Sequence, residues 1–206
     1  MTVNIGGLEF PFDDYFSKHN DILNFGQASR NIALANVKQW RTVVDIGAHV
    51  GISVHCWAPK FQKVVAFEPM PDHFLCLGKN TAKFDNVEIH NCGISNDSKT
   101  LRGTYRTGKN SGSFQLLTDD YEVNVRKGGR IYEIPSRRLD EFDLTDVDLI
   151  KVDVEGWEFE VLKGAVDTIR RNRPCLMIEF TNGGRKSMRS YDVAEYRALI
   201  QDLGYH

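Results

Sequence analysis

Short β-branched runs alternate with longer segments of helical spacing through most of the chain. The predicted strands lie at 41–46, 63–68, 86–91, 148–153 and 175–180. The predicted helices lie at 51–59, 71–83, 157–171 and 193–203. Strands and helices that alternate at these lengths are typical of parallel βαβ units. The expected fold class is therefore α/β, with a doubly wound, mostly parallel sheet.

Two regions break this alternation. Residues 13–40 have mixed helical spacing, so we expect an N-terminal helical extension over 1–40, ahead of a main domain at 41–206. Between about 95 and 138 the helical segments stop, and polar residues, glycines and short alternating runs take their place. This region is expected to be an antiparallel excursion or long insert, and inserts of this length are more often functional than accidental.

Composition narrows the class of protein only a little. Of the 206 residues, 41% are hydrophobic and 26% charged, as in an ordinary soluble domain. The net charge of -2 provides no general basic field for nucleic acid or an anionic membrane. No apolar run has the length of a membrane span, and the first residues lack a secretory signature, so we expect a cytoplasmic protein without a membrane partner.

The four cysteines are not arranged as a metal site. They are widely spaced and include no CxxC pair, which favours reduced and partly buried thiols and no bound metal. The four are Cys56, Cys76, Cys92 and Cys175.

A glycine-rich turn, VVDIGAHVG at 43–51, follows the first predicted strand. Glycines let the backbone approach a ligand closely, and the start of the next helix offers free N–H groups. Its D-x-G-x-x-x-G spacing differs from the G-x-G-x-x-G of dinucleotide-binding turns. Asp45 at the strand end would repel a pyrophosphate but attract the amino group of S-adenosylmethionine, which favours a methyl donor over a nicotinamide.

A second acidic residue, Glu68, ends the second predicted strand. A carboxylate at this position accepts hydrogen bonds from a ribose hydroxyl, and it follows the first turn by roughly 20 residues, as nucleotide binding requires. Either motif alone is weak, but together, in consecutive βα units, they predict a cofactor site. The alternative is that Asp45 caps the next helix and Glu68 lies on a solvated strand end.

Charged and apolar residues alternate in IKVDVEGWE at 150–158. On a strand, Lys151, Asp153 and Glu155 would share one face. A central parallel strand is normally apolar on both faces, and ligands of doubly wound folds bind at the carboxyl ends of strands. We therefore place these three candidate catalytic residues over the methyl group or the substrate. The alternative is a Lys–Asp ion pair that anchors a turn.

Four further residues are candidates for contact with the acceptor. Glu179, near the end of the strand at 175–180, could orient a hydroxyl or a bound cation, or could cap the following loop. His49 lies inside the glycine turn and could reach the substrate or merely start the helix. Ser111 and Ser113 in the insert form a candidate lip of the acceptor pocket, since loops are where specificity varies.

Four blocks occur in the order VVDIGAHVG, VVAFEPMPDHF, DLIKVDVEGWEFEVLKGA and RPCLMIEF, and they cover about residues 41–180. In these blocks, and most specifically in Lys151 to Ala165, the chain resembles the FkbM family of methyltransferases. The resemblance implies a seven-stranded class I, Rossmann-like fold, S-adenosyl-L-methionine as cofactor, and methyl transfer, usually to a hydroxyl oxygen. The residues expected to hold the cofactor are Asp45, Gly47, Ala48, His49, Gly51, Glu68, Asn91 and Cys92. Those expected at the reacting end are Lys151, Asp153 and Glu155.

Two features depart from the family pattern. His49 stands where the family commonly has asparagine, and the sequence stops after its last predicted helix, where the fold normally adds a β-hairpin. Gly204 and Tyr205 look like the beginning of that hairpin. Either the sheet is shortened or its final strands come from elsewhere, which leaves a homo-oligomer open.

The expected reaction is O-methylation of a hydroxyl on a glycan or other small molecule. Positioning supplies most of the acceleration, and the hydroxyl must lose its proton. Asp153, or Lys151 in its neutral form, would act as base or orienting group, with Glu155 and Glu179 fixing the acceptor. A divalent cation shared by Asp153, Glu155 and Glu179 is the rival arrangement. Two other function classes are a nucleotide-binding oxidoreductase and a non-catalytic binding module with this fold.

Nucleic acid is a less favoured acceptor that the sequence leaves open. The insert is locally basic, but acidic residues are interleaved with the basic ones and no stacking platform is evident, so a solvated or substrate-facing loop is preferred. The basic residues are Arg102, Arg106, Lys109, Arg126, Lys127, Arg130, Arg137 and Arg138.

Overall fold

The computed structural model of the protein describes residues 2–11, 21–105, 114–117, 131–179 and 192–206. Its strands are β1 (Thr2–Ile5), β2 (Leu8–Pro11), β3 (Thr42–Ile46), β4 (Lys63–Phe67), β5 (Val87–His90), β6 (Gly93–Ile94), β7 (Thr100–Tyr105), β8 (Phe114–Leu116), β9 (Tyr132–Arg137), β10 (Val147–Val152) and β11 (Cys175–Ile178). Its α-helices are α1 (Gln27–Asn36), α2 (Ile52–Trp57), α3 (Pro71–Thr81), α4 (Glu158–Lys163), α5 (Val166–Asn172) and α6 (Val193–Asp202).

The centre of the fold is a five-stranded sheet with the order β11-β10-β3-β4-β5. Each neighbouring pair runs parallel. The chain moves from β3 to β4 and β5 on one side, then returns to β10 and β11 on the other. Because the strand order reverses between β3 and β10, a crevice forms at their carboxyl ends. The predicted doubly wound α/β fold is confirmed.

Alternating side chains of the central strands enter two separate apolar clusters. Val44, Ile46 and Val152 face one cluster, which includes buried residues of α4 and α5. Val43 and Leu149 face the other, which includes buried residues of α1, α2 and α3. Helices therefore cover both faces of the sheet, which explains why its strands are apolar on both sides.

The N-terminal segment corrects the predicted helical extension over 1–40. Residues 2–11 form an antiparallel hairpin of β1 and β2 rather than a helix, although α1 further along is helical as expected. The hairpin is tied to α3 through Asn80. The side-chain oxygen of Asn80 accepts the Glu9 amide at 2.7 Å, and its nitrogen donates to Glu9 O at 2.9 Å and to Val50 O at 2.8 Å.

The described part of the insert is a small sheet with the order β6-β9-β7-β8. β7 pairs antiparallel with both β8 and β9, as the alternating pattern predicted, whereas β6 pairs parallel with β9. Ser111 and Ser113 lie outside the described residues.

The helix predicted at 157–171 is two helices, α4 and α5. They meet at Gly164, whose carbonyl oxygen accepts the Asp140 amide at 3.1 Å. A Cβ at Gly164 would lie 1.9 Å from the carbonyl oxygen of Ser95. The break thus brings the helix pair against the segment that leads into the insert.

The C-terminal residues pack back onto the start of β11. The Tyr205 hydroxyl donates to Pro174 O at 2.6 Å, and the Arg173 guanidinium lies 4.7 Å from the Tyr205 ring centroid. Within the described residues no strand follows α6. In the described part of the chain no helix has the length and apolar character needed to span a bilayer.

The cysteines are all free thiols, as predicted. Cys76 and Cys92 are buried, and Cys56 and Cys175 are partly buried.

Candidate active site

A cavity of about 630 Å³ opens where the strand order of the sheet reverses. Its walls include the turn after β3, the end of β4 and the residues that follow β10 and β11. The first turn of α1 and the small sheet of the insert complete it. The glycine turn and the charged segment after β10, which are about a hundred residues apart in sequence, thus face one space.

The glycine turn is held by the protein's own hydrogen bonds. The amides of Gly47 and Ala48 both donate to Phe67 O at 3.0 Å, and the His49 amide donates to Glu68 Oε2 at 2.9 Å. These three N–H groups are therefore engaged within the protein. What the turn contributes is a close backbone surface.

Gly47 is required by a close approach of two backbones. Its φ of +80° is in the left-handed region, and an added Cβ would lie 1.9 Å from the carbonyl oxygen of Asp153. The Asp153 amide also donates to Ile46 O at 3.1 Å. The absence of a side chain at Gly47 therefore fixes where Asp153 stands relative to the turn. Gly51, with a φ of +95°, starts α2 from the same left-handed region.

Glu68 both braces the turn and faces the cavity. Its Oε1 accepts the Met70 amide at 2.9 Å, its Oε2 accepts the His49 amide, and His73 Nδ1 lies 3.6 Å from Oε1. Each carboxylate oxygen can accept more than one hydrogen bond, so these contacts leave capacity for a ribose hydroxyl. Asn91 is exposed and donates to Glu68 O at 2.9 Å, so it positions this strand end. Cys92 lines the cavity.

Asp45 does not line the cavity, in contrast to its predicted contact with the cofactor. Its side chain is 0% exposed, and the Trp57 indole donates to its Oδ2 at 3.0 Å. Lys151 Nζ lies 3.1 Å from Oδ1, an ion pair without hydrogen-bond geometry. Burial raises the pKa of Asp45, and the Lys151 charge opposes that rise. Asp45 therefore acts on the site through Lys151.

Lys151 is a buried ammonium between two carboxylates. Its Nζ lies 3.1 Å from Asp45 Oδ1 and 3.3 Å from Asp153 Oδ2, and donates to Gly47 O at 3.3 Å. Burial alone would lower the pKa of Lys151, but the charges of Asp153 and Asp45 outweigh it and raise the pKa. Lys151 is consequently protonated at neutral pH, which is against the hypothesis that it acts as a neutral base.

Asp153 and Glu179 form a hydrogen-bonded carboxyl pair on the cavity wall. The Glu179 amide donates to Val152 O at 2.9 Å, which places the two residues on adjacent strand ends. Burial would raise the pKa of Asp153, but the Lys151 ammonium and the hydrogen bond with Glu179 lower it. The hydrogen bond with Asp153 and the charge of that carboxylate raise the pKa of Glu179 to about 8. The opposite directions of these two pKa shifts favour a pair that holds one proton at neutral pH, on the side of Glu179.

The alternating pattern predicted that Glu155 shares a strand face with Lys151 and Asp153. The structure does not place it there. β10 ends at Val152, and Glu155 is an exposed turn residue with a φ of +53°. The buried Glu158 shapes this turn, because its Oε1 accepts the Gly156 amide at 2.9 Å. The turn brings Glu155 to the cavity by another route.

His49 and His73 form a ring contact on the cavity wall. Their centroids are 4.3 Å apart, and Phe10 of the N-terminal hairpin lies 6.2 Å from the His49 ring. Burial, followed by the charges of His73 and Lys151, lowers the pKa of His49 well below its usual value. The imidazole of His49 is therefore neutral at physiological pH.

Several residues of the site are not among those predicted from the sequence. Arg30 of α1 and Trp157 line the cavity, and the Trp157 indole donates to Ser95 Oγ at 3.1 Å. An apolar wall comes from the insert sheet and consists of Leu101, Phe114, Leu116 and Ile134. An antiparallel sheet with one apolar face was a detectable signal for this wall, but the sequence did not show which surface that face would cover.

Two other predicted features gain no support within the described residues. Arg137 pairs with Glu141 at 3.0 Å and Arg138 with Asp140 at 3.0 Å, so these basic residues are locally neutralised. Arg106, Lys109, Arg126, Lys127 and Arg130 lie outside the described residues. Across the described residues, no group of three or more His, Cys, Asp or Glu side chains is placed to hold a metal ion.

Comparison with known proteins decides the family. Residues 45–206 match the model of the methyltransferase FkbM domain, which is most of the chain. The chain belongs to the FkbM methyltransferase domain family. The resemblance noted in the sequence, with Lys151 to Ala165 as its most specific block, is thereby confirmed.

Curated relatives of this FkbM domain are themselves methyltransferases by name. Methyltransferase sdnD of Sordaria araneosa is 32% identical over 163 residues, covering 64% of this chain and 62% of its own length. Hexuronic acid methyltransferase AglP of Haloferax volcanii is 29% identical over 136 residues, covering 61% of this chain and 50% of its own. The match thus spans only half to three-fifths of these relatives.

One solved structure supports the fold of the FkbM domain. Methyltransferase FkbM from Methylobacillus flagellatus superposes with a TM-score of 0.52 at 20% identity, covering 79% of this chain and 38% of that one. At this identity the likeness concerns the fold alone, and it agrees with the predicted class I methyltransferase architecture.

Proposed function

We propose that the protein is an S-adenosylmethionine-dependent methyltransferase that acts on a hydroxyl oxygen of a sugar or another small molecule. The observation that carries the proposal is the carboxyl pair Asp153 and Glu179, which opens onto the same cavity as the glycine turn and Glu68. The site thus combines a nucleoside-binding side with a proton acceptor.

The cavity suits the cofactor in size and chemistry. Its volume of about 630 Å³ is within the range of small-molecule sites. Glu68 offers carboxylate oxygens for a ribose, and Met70 and Cys92 supply apolar surface beside it. His49, being neutral, adds no charge that would repel a sulfonium. When bound, S-adenosylmethionine supplies a methyl group activated by its positive sulfur.

The protein's own residues supply the proton chemistry. Lys151 holds Asp153 ionised and fixes its position, and Asp45 in turn fixes Lys151 from below the cavity. Once Glu179 has lost its proton, the pair carries two negative charges, and one of them is poised to accept a proton at about pH 8. We assign the removal of the acceptor's hydroxyl proton to this pair, with Glu155 as an orienting group.

The name of one relative supports a sugar as acceptor. AglP, a relative at 29% identity, is described as a hexuronic acid methyltransferase. The cavity of this chain also has the apolar wall from the insert, which suits the carbon face of a sugar ring or another apolar scaffold. The acceptor we propose is therefore a small molecule with hydroxyl groups and an apolar face.

A transfer assay with tritium-labelled cofactor, run over sugars and small hydroxy compounds, tests the proposal. Asp153→Asn should abolish turnover and leave affinity for S-adenosylhomocysteine nearly unchanged, because the residue acts on the acceptor side. Asp97→Asn, at an exposed position, is the matched control and should behave as the wild type. Retained turnover in Asp153→Asn would refute the assignment of the base.

Two measurements separate the alternatives. Calorimetry with S-adenosylhomocysteine and with NAD distinguishes a methyl-donor site from an oxidoreductase. Loss of turnover on addition of a chelator would support a cation held by Asp153, Glu155 and Glu179 instead of the carboxyl pair alone. Binding of S-adenosylhomocysteine without turnover on any acceptor would favour a non-catalytic module.

A further inference from the structure

Arg30 places a positive charge on the wall of the cavity. It is the fourth residue of α1, its side chain is only 4% exposed, and it lines the same space as Glu68 and Asp153. Among the described residues it forms no ion pair with an aspartate or glutamate. A buried charge without a counter-charge is costly, so a residue of this kind calls for an anion.

The protein provides hydrogen-bond acceptors for only some of the N–H groups of the Arg30 guanidinium. Its Nη2 donates to Leu23 O at 2.7 Å, and its Nη1 donates to Phe25 O. These bonds hold the segment before α1, but backbone carbonyls do not neutralise a full charge. The buried Nε has no acceptor among the described residues. The guanidinium therefore keeps unused hydrogen-bonding capacity together with its charge.

The other charges of the cavity single out Arg30 as the receptor for an anion. Lys151 is already committed to two carboxylates, and His49 is neutral. The remaining charged groups on the described walls are acidic: Glu68, Glu155 and the singly charged pair of Asp153 and Glu179. An anionic group entering this cavity would be repelled by these carboxylates everywhere except beside Arg30.

We propose that Arg30 binds a carboxylate of a ligand of this cavity. A guanidinium matches a carboxylate better than an ammonium does, because its N–H groups are fixed in a planar fork. The inference rests on the proposed function, whose two ligands offer two sources of that carboxylate. One is the amino-acid end of the cofactor, and the other is an acidic acceptor such as a uronic acid.

The test compares ligands with and without the carboxylate. Binding of S-adenosylhomocysteine and of its decarboxylated analogue is measured by calorimetry for wild type, Arg30→Met and Arg30→Lys. Glucuronic acid and glucose are then titrated into the protein saturated with S-adenosylhomocysteine. Arg170→Met, which removes an exposed arginine paired with Asp202 outside the cavity, is the matched control. Arg30→Lys keeps the charge in case Arg30→Met does not fold.

If the cofactor is the source of the carboxylate, Arg30→Met weakens the binding of S-adenosylhomocysteine by about tenfold to a hundredfold and leaves the binding of the decarboxylated analogue unchanged. Arg30→Lys then loses less affinity for S-adenosylhomocysteine than Arg30→Met does. If the acceptor is the source, Arg30→Met leaves the binding of S-adenosylhomocysteine unchanged. The wild type then binds glucuronic acid more tightly than glucose, and Arg30→Met binds the two sugars equally. The inference is overturned if Arg30→Met weakens the binding of ligands with and without the carboxylate equally, or if it changes the binding of none of them. A wild type that does not bind S-adenosylhomocysteine overturns the proposed function instead.

Discussion

The contact between the glycine turn and the segment after β10 makes a quantitative prediction at Gly47. Alanine there must adopt a φ near +80°, which costs about 1–2 kcal/mol for a residue with a Cβ. Its Cβ would also lie 1.9 Å from the carbonyl oxygen of Asp153, so one backbone must move by more than an ångström to make room. Overpacking of this kind costs about 1–3 kcal/mol more.

Two other glycines separate these costs. Gly7 has a φ of +88° and nothing within 4 Å of an added Cβ, so Gly7→Ala measures the backbone cost alone. Gly78 lies within α3 and meets only Ile89 Cδ1 at an ordinary 3.5 Å, so Gly78→Ala tests a Cβ without either cost and should stabilise the helix by about 0.5–1 kcal/mol.

The assay is urea denaturation of the three variants, followed by calorimetry with S-adenosylhomocysteine. Gly47→Ala should lose about 2–5 kcal/mol of unfolding free energy, and Gly7→Ala only the smaller backbone part of it. Where Gly47→Ala still folds, it should also lose turnover, because the shift displaces Asp153 from Lys151. A Gly47→Ala protein as stable as Gly7→Ala would show that the two backbones do not approach as described.

Four further predictions concern groups around the site and in the N-terminal hairpin. The rate of methyl transfer should rise with pH up to about 8 and then level off, because Glu179 must first lose its proton, and a pH–rate profile of Glu179→Gln should lack that rise. The raised pKa of Glu179 also means that the stability it contributes is present at acid pH and lost as the pH rises towards 8, which denaturation at several pH values would detect. Trp57→Phe leaves the buried carboxylate of Asp45 without a donor and should cost about 1–3 kcal/mol in urea denaturation, whereas Trp40→Phe at the surface should cost almost nothing. Asn80→Ala should speed hydrogen exchange in residues 2–11 while the central sheet stays protected, and unchanged exchange would contradict the role given to its three hydrogen bonds.

The sequence predicts the central sheet well because its middle strands are buried on both faces. β3, β4 and β10 are buried along nearly their whole length and are mostly apolar, and the five predicted strands correspond to β3, β4, β5, β10 and β11. The N-terminal hairpin also had a signal, the Gly6-Gly7 pair between two short alternating runs, which is typical of a two-residue hairpin turn. The helical extension was predicted over 1–40 from the helical spacing at 13–40 alone, so it included residues 2–11, where the hairpin lies.

The site was predictable in its residue types but not in their partners. Asp45 looked like a ligand contact because it stands beside a glycine turn, yet it faces Lys151 across the sheet. That pairing follows from the register of β3 and β10, in which Asp45 and Lys151 are opposite each other. Register depends on how two distant strands pack, and one sequence does not specify it. Arg30 belongs to no motif, and only the packing of α1 brings it to the cavity.

The charged residues on the central strands form one connected arrangement rather than separate contacts. It runs from Trp57 through Asp45, Lys151 and Asp153 to Glu179, crossing β3, β10 and the end of β11. Burying Asp45 or Lys151 alone would cost several kcal/mol, and each of these two is buried beside a partner of opposite charge. Because Lys151 is shared, a change at Asp45 alters the charge that holds Asp153 ionised. The proton of the Asp153 and Glu179 pair then depends on a residue that does not line the cavity, so the proposed base comprises the whole arrangement.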